Sequence, residues 1–195
     1  MISFLVNIFG ERGCEKETLY IINTYTKRNF KTISYEPNEI KGEHKGNKKS
    51  ITDVLVMMND RSVVNIEAQK AKQKEFHKRS HFYNSRIYSI LLRIGEYYEK
   101  LPMTFMINII DFNLHKIDKY HTKFILCEEE YREYGMEDIM ETHYIDLTIF
   151  REKLKEGKTD LNNPEDRITL LFVVETPENL VNGTVYFVTG GVFTK

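Results

Sequence analysis

Apolar positions along this chain change their period several times, and each change marks a new element. Over residues 2–9 and 15–26 they recur at helical spacing, interrupted by Gly10, Glu11, Arg12 and Gly13, which predicts two short helices with a turn between them. Phe30, Thr32, Ile33 and Tyr35 read as a strand that ends at Pro37. Segment 38–50 is polar, carries Gly42 and Gly46, and predicts a mobile surface loop. Residues 51–69 hold two apolar runs on either side of Asn59, Asp60, Arg61 and Ser62, the pattern of a β-hairpin. From 70 to 100 there is no proline and one glycine, Gly95. Phe76, Tyr83, Ile87, Ile90, Leu91, Ile94 and Tyr98 recur there at helical spacing, which predicts a long amphipathic helix ended by Leu101 and Pro102.

Residues 103–112 form an apolar run suited to a central strand buried on both faces. A strand followed directly by a long helix and another strand is a crossover unit, so a mixed sheet is expected, with this strand parallel to one strand of the hairpin. Further on, 121–127 and 143–150 read as strands, and the acidic stretch 128–141 as a helix between them. Asn163 and Pro164 supply a cap and a first position for a helix over 164–175. Residues 181–195, with Asn182-Gly183 and Gly190-Gly191 among β-branched residues, suggest a hairpin or a loose tail. The fold class is α/β, and no internal repeat or low-complexity tract is evident.

The hairpin also carries the most informative chemistry. Each strand has one acidic residue among Val, Leu, Met and Ile, where an unpaired carboxylate is costly to bury. If Asn59, Asp60 and Arg61 form the loop, Met58 opposes Ser62 and Asp53 falls opposite Glu67. Opposed residues share a face with Cβ atoms roughly 5 Å apart. Two carboxylates so placed repel unless a proton or a cation lies between them, and an oxygen-lined pair suits Mg²⁺ or Mn²⁺. Gln69, two residues beyond Glu67, points to the same face. The alternative is a hairpin whose outer face is simply wet. A shorter loop of Asp60 and Arg61 would instead oppose Asp53 to Ala68.

Composition narrows the picture by exclusion. The chain has 195 residues, enough for one domain with a sizeable core or a domain with an appendage. Its formal net charge of −1 provides no global basic field, so any nucleic-acid contact must come from a local patch. Cys14 and Cys127 lie far apart, have no metal-ligand spacing, and suit a reducing cytoplasm. No signal peptide or membrane span is expected at the start, and the expected location is cytoplasmic.

Asp53, then Glu67-Ala68-Gln69, then Lys78-Arg79-Ser80 and Tyr83 on the following helix, together resemble the PD-(D/E)XK nuclease superfamily, and more narrowly the PD-(D/E)XK nuclease family transposases, relatives of the recombination-promoting nucleases of bacteria. The likeness runs from about the first helix through Phe150 and includes Tyr88, Gly95, Tyr98, Leu101 and the 108–112 strand. It implies a restriction-endonuclease-like α-β-β-β-α-β core, a mixed sheet flanked by helices, over 1–150, with a C-terminal α+β extension over 151–195. It also implies metal-dependent cleavage of DNA phosphodiesters. Asp53 and Glu67 would hold Mg²⁺ or Mn²⁺ with the carbonyl of Ala68, and Gln69 would stand where many superfamily members have lysine. Thr52 takes the place of the motif's proline, which touches no substrate.

An amide at Gln69 can orient water but cannot supply positive charge, and Arg79 is the expected substitute. Arg79, Tyr83 and Arg86 could line one edge of the site or simply lie over a core face. Lys70, Lys72, Lys74 and Lys78, with Arg79, form the one basic run with an evident reason to meet phosphate. His77 and His81 have a zinc-compatible spacing but no third ligand, and Glu11 is an outside candidate for an accessory carboxylate. The expected function is a DNA endonuclease of mobile elements or recombination, with DNA as partner, no membrane, and a homodimer left open. The alternative is a catalytically inactive nuclease-fold relic that at most binds nucleic acid.

Overall fold

The architecture is that of a computed structural model, which describes residues 13–40, 50–136, 138–173, 185–188 and 191–194. The expected helix over 2–9, Glu11 and most of the 38–50 loop lie outside these residues. Helix α1 (Glu15–Thr26) opens with Glu15 and Glu17 at the positive end of its dipole and stops where Lys27 turns left-handed, at φ 59°. Strand β1 (Ile33–Tyr35) follows, then a two-stranded ladder of β2 (Glu39–Ile40) and β3 (Ser50–Ile51), and then the hairpin of β4 (Val54–Met58) and β5 (Val63–Gln69). Helix α2 (Phe76–Ser89) leads to β6 (Thr104–Ile110). Strands β7 (His121–Ile125) and β8 (Met140–Asp146) and helices α3 (Leu147–Lys155) and α4 (Pro164–Val173) complete the body; β9 (Val185–Val188) and β10 (Gly191–Thr194) pair as a separate antiparallel ladder.

Six strands form one mixed sheet in the order β1-β4-β5-β6-β8-β7. Strands β5, β6 and β8 are parallel, whereas β1, β4 and β7 pair antiparallel with their neighbours. The expected central strand is β6, every residue of which is buried. It runs parallel to β5 of the hairpin, as the crossover pattern requires. Alternation along the strands divides the sheet into two faces. Val54, Val56, Val64, Ile66, Phe105, Ile107 and Ile109 face a continuous core with Ile22 and Tyr25 of α1 and Ile168 and Phe172 of α4. Each such side chain contributes roughly 1.5–3 kcal/mol of burial free energy. The other face is covered by α2 and is far more polar. Phe76 and Ile87 of α2 anchor two small apolar clusters, with Ser80 and Asn84 buried between them.

Three expectations about element boundaries are corrected. The helix predicted over 70–100 spans only Phe76–Ser89. Helices draw most of their stability from packing, and beyond Ile87 only Leu91 of the predicted apolar stripe still packs on the sheet's Leu55 and Val63: Ile90, Ile94 and Tyr98 are exposed, and Gly95 adopts φ +87°. At the other end Glu75 turns left-handed, and residues 70–75 form a loop between β5 and α2. The described residues of the acidic stretch 128–141 are not helical. Cys127 bridges to Gly135, and the Glu128 carboxylate accepts the Glu130 backbone N–H at 2.8 Å, a local turn that competes with helix where three glutamates adjoin. The strand expected over 143–150 starts and ends earlier, because Asp146 caps α3 by accepting the Thr148 and Ile149 N–H groups. The helix with Asn163 as its cap is present: Asn163 Oδ1 accepts the Glu165 N–H at 3.0 Å.

Candidate functional site

The hairpin loop fixes the register on which the acidic pair depends. Arg61 N–H donates to the Met58 carbonyl at 3.0 Å, Met58 N–H to the Ser62 carbonyl at 2.8 Å, and Asp60 Oδ1 accepts the Ser62 N–H at 2.9 Å. Arg61 adopts φ 72°, the left-handed position of a three-residue hairpin loop. Asn59 Oδ1 accepts the Lys31 N–H at 2.7 Å, tying the loop to the chain that enters β1. The resulting pairs, Val54 with Ile66 through Met57 with Val63, extend by one residue to Asp53 opposite Glu67. Both acids therefore lie on the α2 face. The backbone confirms the juxtaposition: Asp53 N–H donates to Glu67 Oε1 at 3.3 Å, and Ala68 N–H donates to Asp53 Oδ2 at 2.8 Å. The shorter-loop register and the opposition of Asp53 to Ala68 are excluded.

Glu67 is buried while Asp53 is exposed. Burial first, and then the neighbouring Asp53 charge, push the Glu67 carboxyl up to about 7 against the opposing help of Asn65, the Asp53 N–H and Arg79. Asn65 Nδ2 donates to Glu67 Oε1 at 3.1 Å. Gln69 does not hydrogen-bond to either acid. Its Nε2 donates to the Ala71 carbonyl at 3.0 Å, and its Oε1 accepts from Arg79 Nη2 at 2.7 Å. Arg79 also donates to Gln73 and stands 5.0 Å from the Phe76 ring centroid, so its guanidinium is held in place, near enough to favour the charged form of Glu67.

This donor set fits a hard divalent cation sparingly coordinated by protein. Each acid has one oxygen occupied by protein N–H groups, Glu67 Oε1 and Asp53 Oδ2, which leaves the other without a partner among the described residues. In a strand the N–H and C=O of one residue share an edge, so Ala68, whose N–H meets Asp53, turns its carbonyl to that same edge. Among the described residues no group of three or more His, Cys, Asp and Glu could hold a metal by itself. An ion here would take its remaining ligands from water and substrate, which is usual for Mg²⁺. A cleft of about 210 Å³ lined by Tyr35, Pro37, Asn38 and Asp53 opens beside the pair.

A sequence model of PD-(D/E)XK nuclease family transposases matches residues 6–176. The chain belongs to that family. The six-stranded mixed sheet flanked by helices is consistent with the restriction-endonuclease-like fold, and the match extends past Phe150 into α4, whose Ile168 and Phe172 join the main core. No curated protein and no solved structure matches the chain. Among the described residues no helix is long and apolar enough to cross a membrane.

In this member of the nuclease family the remaining expected site residues are more dispersed. Lys70, Lys72 and Lys74 are exposed on the loop before α2, not on the helix, and Lys72 Nζ donates to the Asn113 carbonyl at 3.3 Å. Lys78 pairs with Glu75. Tyr83 and Arg86 are half-buried further along α2. Thr52, at the motif's proline position, is buried and donates to the Asn38 carbonyl at 3.2 Å. His77 and His81 are exposed and belong to no metal cluster. Sequence reasoning missed Asn65. Its one signal was an amide two residues before Glu67 in an otherwise apolar strand, which alternation places on the same face.

Proposed function

We propose that this chain is a divalent-metal-dependent DNA endonuclease, with Asp53, Glu67 and the Ala68 carbonyl holding Mg²⁺ or Mn²⁺. The observation that carries the reading is the pairing of a buried Glu67 with Asp53 across the hairpin, with one oxygen of each left without a partner among the described residues. A doubly charged ion relieves the mutual repulsion and, when bound, lowers the pKa of a water and offsets charge building on the phosphate oxygens. Arg79 supplies the cation that the family's variant lysine position lacks. Its guanidinium is oriented by Gln69 and Gln73, so Gln69 is a positioning residue for that charge. Lys70, Lys72, Lys74 and Lys78 give the adjoining loop and helix start a basic surface for the DNA backbone, with Tyr83 and Arg86 further along α2.

The test is nicking of supercoiled plasmid in Mg²⁺ or Mn²⁺. Wild-type protein is expected to nick, and Asp53→Ala or Glu67→Ala to lose at least about 10³-fold, the scale of removing a metal's charge stabilisation. Folded wild-type and variant proteins that are equally inert would make the chain a relic of its family.

A further inference from the structure

Asn65 is completely buried in the middle of β5, two residues before Glu67 and on the same face. Its amide nitrogen has two acceptors, Glu67 Oε1 at 3.1 Å and the Met106 sulfur at 3.1 Å on the adjoining strand β6. Its amide oxygen is buried with no partner among the described residues, as are both side-chain polar atoms of Asn84 on α2 and the Thr104 hydroxyl on β6. An amide in a sheet core normally costs stability unless all its groups are satisfied. Valine or isoleucine would fill this position between Val64 and Ile66 with less cost. What the amide does here is direct the closer of two donors at one particular oxygen of the buried carboxylate, 3.1 Å against 3.3 Å for the Asp53 N–H.

We propose that Asn65 is a positioning residue which ties down Glu67 Oε1 so that Glu67 presents only Oε2 to a divalent ion. This rests on the metal-site reading above. Asp53 is managed in the same manner by a different donor, since the Ala68 N–H occupies its Oδ2. The pair then offers two single oxygens. Mg²⁺ and Mn²⁺ accept such monodentate carboxylates and keep the rest of their octahedron for water and phosphate, whereas Ca²⁺ favours carboxylates that bind through both oxygens. The amide thus acts on metal selectivity as well as affinity. Groups that orient a ligand from one shell further out typically change metal affinity by about 10- to 100-fold.

The experiment is calorimetric titration of the full chain with MnCl₂ and, separately, CaCl₂, using wild type, Asn65→Leu, Asn65→Thr and Asp53→Ala. Leucine has the same branched heavy-atom skeleton as the amide but is bulkier; threonine is polar and strand-forming but cannot reach two residues along, so it decides the matter if the leucine variant does not fold. Both variants are expected to bind Mn²⁺ about 10-fold more weakly, with Ca²⁺ affinity rising relative to Mn²⁺. Variants that bind Mn²⁺ as wild type does, while Asp53→Ala has lost it, would overturn the role of Asn65 and leave the metal site standing. Equal weakening for both ions would also overturn it, because loss of packing does not change selectivity. Wild-type protein that binds no Mn²⁺ removes this inference and the reading beneath it together.

Discussion

Two sets of carboxylates lie on opposite faces of one sheet, and their surroundings treat negative charge in opposite ways. On the α2 face, Glu67 meets Asp53 and is pushed up to about 7, chiefly by burial. On the other face a chain of side chains runs from Glu141 Oε2 to His143 Nε2 at 3.1 Å, from His143 Nδ1 to His121 Nε2 at 3.0 Å, and from His121 Nδ1 to Glu165 Oε2 at 3.0 Å. Each end is closed by cations: Arg28 and Lys123 at Glu141, Lys27 at Glu165. Burial works to raise Glu165, but His121 and Lys27 overcome it and hold the carboxyl down to about 2. Glu141 is likewise lowered against burial, by His143, Lys123 and Arg28. A cavity of about 300 Å³ lined by Arg28, Lys123, Met136 and Glu141 adjoins this satisfied chain, against about 210 Å³ for the cleft beside the acidic pair. The buried chain joins α1, β7, β8 and α4 and has its charges matched internally; the hairpin pair keeps a repulsion that the protein alone does not relieve.

The sharpest way to break this contrast is Glu67→Gln. The amide keeps an oxygen acceptor for Asn65 and the Asp53 N–H but removes the charge. Because the folded Glu67 pKa lies above its unfolded value near 4.5, wild-type stability from this group is intact below pH 4.5 and lost as pH rises through about 7. Without metal at pH 8, Glu67→Gln should be more stable than wild type by about 3 kcal/mol, a rise in Tm of about 6–12 °C, with the gap closing toward pH 4.5. Melting curves across that range check both sign and window.

His143→Leu addresses the other face. It leaves His121 Nε2 and one Glu141 oxygen without their partner in a buried setting, at a cost of about 1–3 kcal/mol. Burial lowers the His143 pKa, so the folded state favours neutral imidazole and this contribution is present above about pH 6.5 and lost as pH falls below it. The variant should thus be most destabilised at neutral and alkaline pH, opposite in sign to Glu67→Gln. Chemical denaturation at pH 8 and pH 5 measures it. Equal and same-signed effects at both sites would abolish the distinction between the two faces.

The hairpin was legible because its information is local. Asn59-Asp60-Arg61 sets the register, alternation sets the face, and two acids in apolar strands mark the candidate site. The central strand and crossover were legible for the same reason. Arg79 could be named beforehand, although its contact with Gln69 depends on α2 beginning at Phe76. That start, and the end at Ser89, are set by where the sheet stops offering a surface, which periodicity does not encode; hence Ile94 and Tyr98 looked like core and are exposed. The chain from Glu141 to Glu165 was illegible because it unites residues from two strands and a helix through long-range packing. No sequence spacing links His121, His143 and Glu165.

The central claim is that Asp53 and Glu67 are held together to receive a divalent ion. The direct measurement is the melting temperature at pH 8 as MnCl₂ is added to wild type and to Glu67→Gln. A bound ion at about 100 times its dissociation constant adds about 2.7 kcal/mol, which for a chain of this size is about 5–10 °C. Wild type should show that saturable rise and Glu67→Gln little or none, so that added metal narrows the gap between them. No rise in wild type, or an equal rise in both, would contradict the account.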